Sequence, residues 1–114
     1  MPSQYVVVQV GDLWKGEFLN IGVFAYDFDP NATQVYSHFI SKFDRVYAAF
    51  GWGKDSILES IAEHAGKITT KTQMDDFLKG CNSPYSSLQA TVPRASLDEA
   101  HELIQWAIKT FLTE

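Results

Sequence analysis

The sequence has one cysteine, no cluster of basic residues and no hydrophobic run long enough to cross a bilayer. Because Cys81 stands alone, no disulfide can form within the chain, as is usual for cytoplasmic proteins. A membrane-spanning helix needs about 18 or more consecutive apolar residues, and residues 1–4 lack the basic region of a signal peptide. We therefore expect a cytoplasmic protein with neither a membrane anchor nor a signal peptide.

Positive charge is also scarce. The chain has nine Lys and Arg against fourteen Asp and Glu, which gives a formal net charge of −5. Proteins that bind nucleic acid need clustered Lys and Arg to displace counterions from phosphates. The sequence therefore predicts no nucleic-acid partner.

Apolar residues are abundant instead. The 114 residues are 46% hydrophobic and 14% aromatic, whereas disordered chains have few aromatics. A chain of this length fits one domain and can bury a core without help from a metal or a disulfide. We expect a single globular domain over residues 1–114.

Hydrophobic periodicity predicts an α+β domain, a small antiparallel sheet of about four strands with helices packed on it, in the order βββααβα. We expect strands over 5–10, 18–28, 33–43 and 85–92, and helices over 44–50, 56–65 and 97–112. Residues 67–72 are expected to be a loop, followed by one helical turn over 74–78 that stops at Gly80.

Capping residues mark the ends of two helices. Asp55 or Ser56 can begin the helix over 56–65, with Glu59 completing a capping box and Gly66 ending the helix. Ser96 and Glu99 form a second predicted box before the final helix. Along the strand predicted over 18–28, alternation places residues 18, 20, 22, 24, 26 and 28 on one face.

Residues 16–23 have the sequence G-E-F-L-N-I-G-V and follow a Tyr-Val-Val-Val strand. This segment resembles the G-E-F-x-N-[IV]-G-V motif of a small bacterial and phage domain family of unknown function. Residues 83–88 and 93–96 are similar to later parts of that family. The resemblance implies no catalytic residue; some family members are encoded beside HipA-like kinases, which implies a partner or regulator role.

The motif also has a physical interpretation. Gly16 permits a turn conformation that other residues avoid, and Gly22 lets a neighbouring group approach the strand closely. Glu17 and Asn20 are polar groups at the mouth of an apolar strand. Either they fix the first turn to the sheet, or they line a groove that contacts a ligand or partner.

The remaining polar residues of the sequence match no catalytic or metal-binding pattern. His38, His64, His101 and Cys81 lack the spacing of metal sites, so we expect no metal and no cofactor. Residues 51–56 place two glycines and a lysine before a helix, but they do not match a phosphate-binding loop. Cys81 has no base near it in the sequence, which favours a small packed residue over a nucleophile.

Five further residues are candidate contacts for a ligand or partner. Arg94 follows Pro93 in the loop predicted between the last strand and the last helix, where it can clamp a carboxylate or phosphate. Tyr85 and Ser86, at the start of that strand, are further candidates. Trp14 and Trp106 are aromatics of the kind that anchor protein interfaces.

The sequence thus favours a non-catalytic protein-interaction or regulatory module whose partner is another protein. The alternative is a protein that binds or sequesters a small anionic metabolite or nucleotide through Glu17, Asn20 and Arg94. A small enzyme is the third hypothesis. Because a sheet of this size has open edges, we also expect pairing into a homodimer.

Overall fold

The structure is a computed structural model that describes residues 2–12, 16–81 and 87–112. It confirms the α+β class, with an antiparallel sheet of five strands and four helices along the described chain. The elements are β1 (Ser3–Asp12), β2 (Glu17–Asp27), β3 (Val35–Phe39), α1 (Asp44–Phe50), α2 (Ser56–Ala65), α3 (Lys71–Cys81), β4 (Leu88–Ala90), β5 (Arg94–Ser96) and α4 (Ala100–Phe111).

Strand β1 is the centre of the sheet. It pairs with β2 along one edge, while β4 and β5 share the other edge, in the order β3-β2-β1-β4 with β5 also on β1. Between β4 and β5, Thr91 bonds to Val7 through both its backbone N–H (2.9 Å) and its hydroxyl oxygen (3.0 Å). The valine-rich sequence of β1 suits this position because a central strand is covered on both faces.

A β-bulge divides β2. The register with β1 shifts between Val8 and Gln9, and Ile21 has no partner across the pair. A bulge reverses the alternation of side chains, so Phe18 and Asn20 lie on one face of the sheet and Gly22 and Phe24 on the other. The prediction that all of these residues share one face is therefore wrong.

Helices cover both faces of the sheet. On one face, α4 buries Leu103, Ile104 and Ala107, and Tyr5 of β1 lies against its Phe111 at 5.6 Å between ring centroids. On the other face, Phe24 packs edge-on against Phe77 of α3 at 5.8 Å. The core thus has two apolar layers, one on either side of the sheet.

Helix α3 corrects two predictions, the loop over 67–72 and the single turn over 74–78. The helix runs from Lys71 to Cys81 and includes Gly80. Its inward positions are 74, 77, 78 and 81, the three- and four-residue spacing of an amphipathic helix. Gly80 does not end the helix because its cost there is only about 1 kcal/mol.

The strands after β2 are shorter than predicted. Strand β3 ends at Phe39 rather than at residue 43, because the Ile40 N–H bonds to the Ile21 carbonyl beside the bulge and the chain then turns into α1. In place of one strand over 85–92 the structure has β4, and β5 lies beyond Pro93. Arg94 therefore belongs to a strand and not to a loop.

Neither predicted capping box forms, but the prediction that Asp55 caps α2 is confirmed. Asp55 begins α2, accepting from the N–H groups of Ile57 (3.0 Å) and Leu58 (3.1 Å), while the Glu59 carboxylate accepts from Tyr47 Oη. Helix α4 begins at Ala100, after the extended residue Glu99. Ser96 is in β5, so it cannot cap that helix. Leu97 is 91% exposed and lies outside the apolar stripe.

Candidate functional site

Half of one edge of β2 has no strand beside it. Strand β3 pairs with residues 22–26 of β2, and the Ile40 N–H extends that contact to Ile21. Residues 17–20 pair with β1 on their other side. Within the described ranges, no strand pairs with the free side of residues 17–20, which we call the open edge.

The backbone groups of Phe18 and Asn20 point out of the sheet at the open edge. On β1, Val7 and Gly11 direct their backbone hydrogen bonds to residues 91 and 87, away from β2. Backbone hydrogen bonds alternate between the two sides of a strand. The N–H and C=O groups of the even-numbered residues of β1 therefore point toward β2, and those of residues 17 and 19 of β2 point toward β1. The N–H and C=O groups at positions 18 and 20 therefore point outward, and no backbone bond from another described residue reaches them.

A groove of about 560 Å³ runs along the open edge, and we call it the edge groove. Its apolar walls come from β2, from α1 and the segment before it, and from the end of α4; they are Phe18, Leu19, Ile40, Val46, Ala49 and Phe111. Asn20 and the exposed charged residues Lys42, Asp44 and Arg45 complete the lining. The groove is thus apolar inside, with two cations and one anion at its rim.

A second, smaller cavity of about 270 Å³ lies on the α4 face of the sheet, and we call it the arginine pocket. It is lined by Tyr5, Val7, Gln9, Asn20, Thr91, Arg94 and Phe111. Arg94 is opposite Tyr5 in the β1–β5 register, so both residues belong to the same face of the sheet. The arginine is the one charged residue among the seven that line this pocket.

A chain of side-chain amides crosses the arginine pocket. Gln89 Nε2 donates to Gln9 Oε1 (2.7 Å), Gln9 Nε2 donates to Asn20 Oδ1 (2.9 Å), and Asn20 Nδ2 donates to the Phe111 carbonyl (3.2 Å). A carbonyl can only accept, so the last bond determines the orientation of all three amides. The chain ties β4, β1 and β2 to the end of α4.

The structure brings together some of the predicted site residues and separates others. Asn20 lines both cavities and Arg94 lines the arginine pocket. Gly16, with φ 67°, adopts the predicted turn conformation. Glu17 is exposed and lines neither cavity. Trp14, Tyr85 and Ser86 lie outside the described residues.

Trp106 belongs to an aromatic cluster next to the arginine pocket. Its ring is 5.4 Å from Tyr5 and 5.6 Å from Phe111, edge-on in both cases. The side chain is 46% exposed. It therefore packs on the periphery of the core and also presents part of its ring to solvent.

Sequence reasoning missed Gln9, Phe111 and Ala49 as site residues. Gln9 had a local signal, because it is a polar residue within a run of valines. Phe111 and Ala49 had none, since an apolar residue on an amphipathic helix is ordinarily core. Their place in the cavities depends on where the helices end relative to β2.

Cys81 is buried at the end of α3 rather than in a loop. Burial raises the pKa of the Cys81 thiol to about 11, so the sulfur remains protonated at neutral pH, and a protonated thiol is a poor nucleophile. Among the described residues, no three His, Cys, Asp or Glu side chains are grouped so that they could hold a metal ion. None of the described helices is long and apolar enough to span a bilayer.

Comparisons of the chain with protein-family models, with curated proteins and with solved structures find no match.

Asn20→Ala is expected to lower the free energy of unfolding by about 1–2 kcal/mol, because it leaves Gln9 Nε2 and the Phe111 carbonyl without their partner. Glu17→Ala removes an exposed side chain of the same motif and should change stability by less than about 0.5 kcal/mol. Urea denaturation followed by circular dichroism measures both. Equal effects of the two substitutions would contradict the structural role assigned to Asn20.

Proposed function

We propose that this domain is a non-catalytic protein-interaction module that binds an extended segment of another polypeptide along the open edge. One observation supports the proposal: the backbone groups of Phe18 and Asn20 that point out of the sheet lie beside an apolar groove. In other proteins, an extended peptide binds as an additional strand at an exposed sheet edge. Its backbone hydrogen bonds give affinity, and pockets for its side chains give specificity.

The lining of the edge groove indicates the chemistry of the partner. Side chains of an added strand alternate between two sides, and the groove offers apolar contacts to them through Leu19, Val46 and Ala49. Arg45 is already engaged in an interaction within the protein, which leaves Lys42 and Asp44 as one charge of each sign at the rim. We therefore propose that the partner segment is predominantly apolar.

The setting of this interaction is part of the proposal. We place the domain in the cytoplasm, in agreement with its single buried cysteine. A regulatory role is implied by the resemblance of residues 16–23 to a family with members encoded beside HipA-like kinases. A second copy of the chain could instead occupy the same edge, and the experiment below separates these occupants.

The test uses two exposed alanines of α1. Ala49 lines the edge groove, whereas its neighbour Ala48 does not. Peptides are selected from a phage-displayed library of random linear sequences, and labelled synthetic copies are titrated by fluorescence anisotropy. Ala49→Glu should weaken binding by about tenfold or more, because it fills the groove and places a charge against an apolar segment. Ala48→Glu adds the same charge to the same helix and should leave the affinity unchanged.

The backbone contacts are tested on the selected peptide itself. Methylation of single amide nitrogens should abolish binding at alternate positions only, because every second N–H of an added strand faces β2. Equal loss with Ala48→Glu, or a methylation pattern without alternation, would overturn the proposal. So would a homodimer that Ala49→Glu dissociates, because the open edge would then be occupied by a second copy.

A further inference from the structure

The arginine pocket shares Asn20 and Phe111 with the edge groove, but it has its own chemistry. Arg94 forms no ion pair with any residue of the described chain, although the protein has an excess of acidic groups. Its backbone is fixed by pairing with Tyr5, and the preceding Pro93 restricts the chain that leads into it. Arg94 is thus an exposed residue that lines the pocket, and no described residue supplies a counter-charge to it.

We propose that the arginine pocket binds a small carboxylate with an apolar or aromatic body, and that Arg94 pairs with the carboxylate. This inference goes beyond the peptide-binding function and does not depend on it. Tyr5, Val7 and Phe111 supply the apolar wall that the body of such a ligand would contact. A planar guanidinium offers two parallel N–H donors to the two oxygens of a carboxylate.

The polar groups of the pocket are arranged so that they do not oppose an anion. The Phe111 carbonyl, at the negative end of α4, would repel a carboxylate, but Asn20 Nδ2 donates to it. Gln9 Oε1 and Asn20 Oδ1 are likewise occupied by amide donors. None of the seven described residues that line the pocket is acidic.

The charge of the lining residues and the volume of the arginine pocket indicate which class of ligand it binds. The seven lining residues supply one positive charge and include no lysine. Phosphate-binding sites generally combine several backbone N–H groups or cations, whereas one arginine matches the single charge of a carboxylate. A cavity of about 270 Å³ is at the small end for ligand pockets, so we infer a monocarboxylate of few atoms rather than a nucleotide.

Three probes test this inference by nuclear magnetic resonance on isotope-labelled protein. Sodium benzoate should shift the side-chain amide signals of Gln9 and Asn20 together with the side-chain signal of Arg94. Benzamide has the same shape without the charge and should bind at least about tenfold more weakly. Inorganic phosphate should not produce the benzoate pattern.

Variants then assign the charge to one residue. Arg94→Gln should weaken benzoate binding by about ten- to a hundredfold, and Arg94→Lys should restore only part of it because lysine lacks the planar fork. Lys79→Gln removes one positive charge from α3, on the opposite face of the sheet, and should have no effect.

Benzoate binding that survives Arg94→Gln would overturn the inference, as would equal binding of benzamide or the absence of any benzoate binding. Stronger binding of phosphate would replace the carboxylate by another anion and would also count against it. Ala49→Glu should leave benzoate binding intact, and Arg94→Gln should leave peptide binding intact. The two proposals can therefore fail separately.

Discussion

Phe24→Ala is expected to lower the free energy of unfolding by about 3–5 kcal/mol. Phe24 is fully buried and its ring contacts those of Phe39 and Phe77, at 5.4 and 5.8 Å, while Phe39 and Phe77 are 5.8 Å apart. Removing one member of this trio leaves a cavity between the sheet and α3 that the other two rings cannot fill without moving. Because small domains are stable by only about 5–15 kcal/mol, the melting temperature should fall by roughly 10 °C or more.

Phe28→Ala is the matched control for this substitution. Phe28 follows the end of β2 and is 61% exposed, so the same change should alter stability by less than about 0.5 kcal/mol. Urea denaturation of both variants, with the slope of the transition unchanged, gives the comparison. A loss below about 1 kcal/mol for Phe24→Ala would mean that the ring trio is not the centre of this layer of the core.

The elements that could be predicted from the sequence are those with a strong local signal. Strands β1 and β2 are long, β-branched and aromatic, and α1 and α2 agree closely with the helices expected over 44–50 and 56–65. In each of these segments, propensity, periodicity and the flanking turn residues favour the same structure. That agreement was sufficient for the fold class.

Helix α3, the bulge and β5 were not predicted, for different physical reasons. The apolar stripe of α3 at positions 74, 77, 78 and 81 is present in the sequence. Gly80 opposes the helix by only about 1 kcal/mol, so packing of the stripe outweighs it. The bulge at Ile21 depends on the register between β1 and β2, which the hydrophobic pattern of β2 does not contain. Strand β5 is three residues long and exists through pairing with β1.

The candidate site could be predicted only in part. Asn20 and Arg94 were both proposed as ligand contacts, yet nothing local to either residue indicates that they line one pocket. They meet because β1 pairs with β2 on one edge and with β5 on the other, and because the bulge turns Asn20 to the α4 face. Glu17, three residues earlier in the strand, lies on the opposite face from Asn20 and lines neither cavity.

Gly22→Ala is expected to destabilise the protein by about 1–3 kcal/mol, the usual cost of overpacking a core. The close approach predicted for this glycine is made by Phe39: a Cβ added at position 22 would lie 2.2 Å from its ring. That ring is held edge-on by Phe24 and Phe77, so it cannot withdraw cheaply. Thermal and urea denaturation measure the loss.

Gly80→Ala is the same chemical change as Gly22→Ala, but it should stabilise the protein. A Cβ at position 80 meets nothing within 4 Å, and alanine is favoured over glycine within a helix such as α3 by about 0.5–1 kcal/mol, so this variant should be more stable than the parent. In a double-mutant cycle, Phe39→Leu should reduce the cost of Gly22→Ala, because the smaller side chain leaves room for the methyl group. An unchanged cost in that background would show that the glycine is required for the backbone of β2 and not for the approach of the ring.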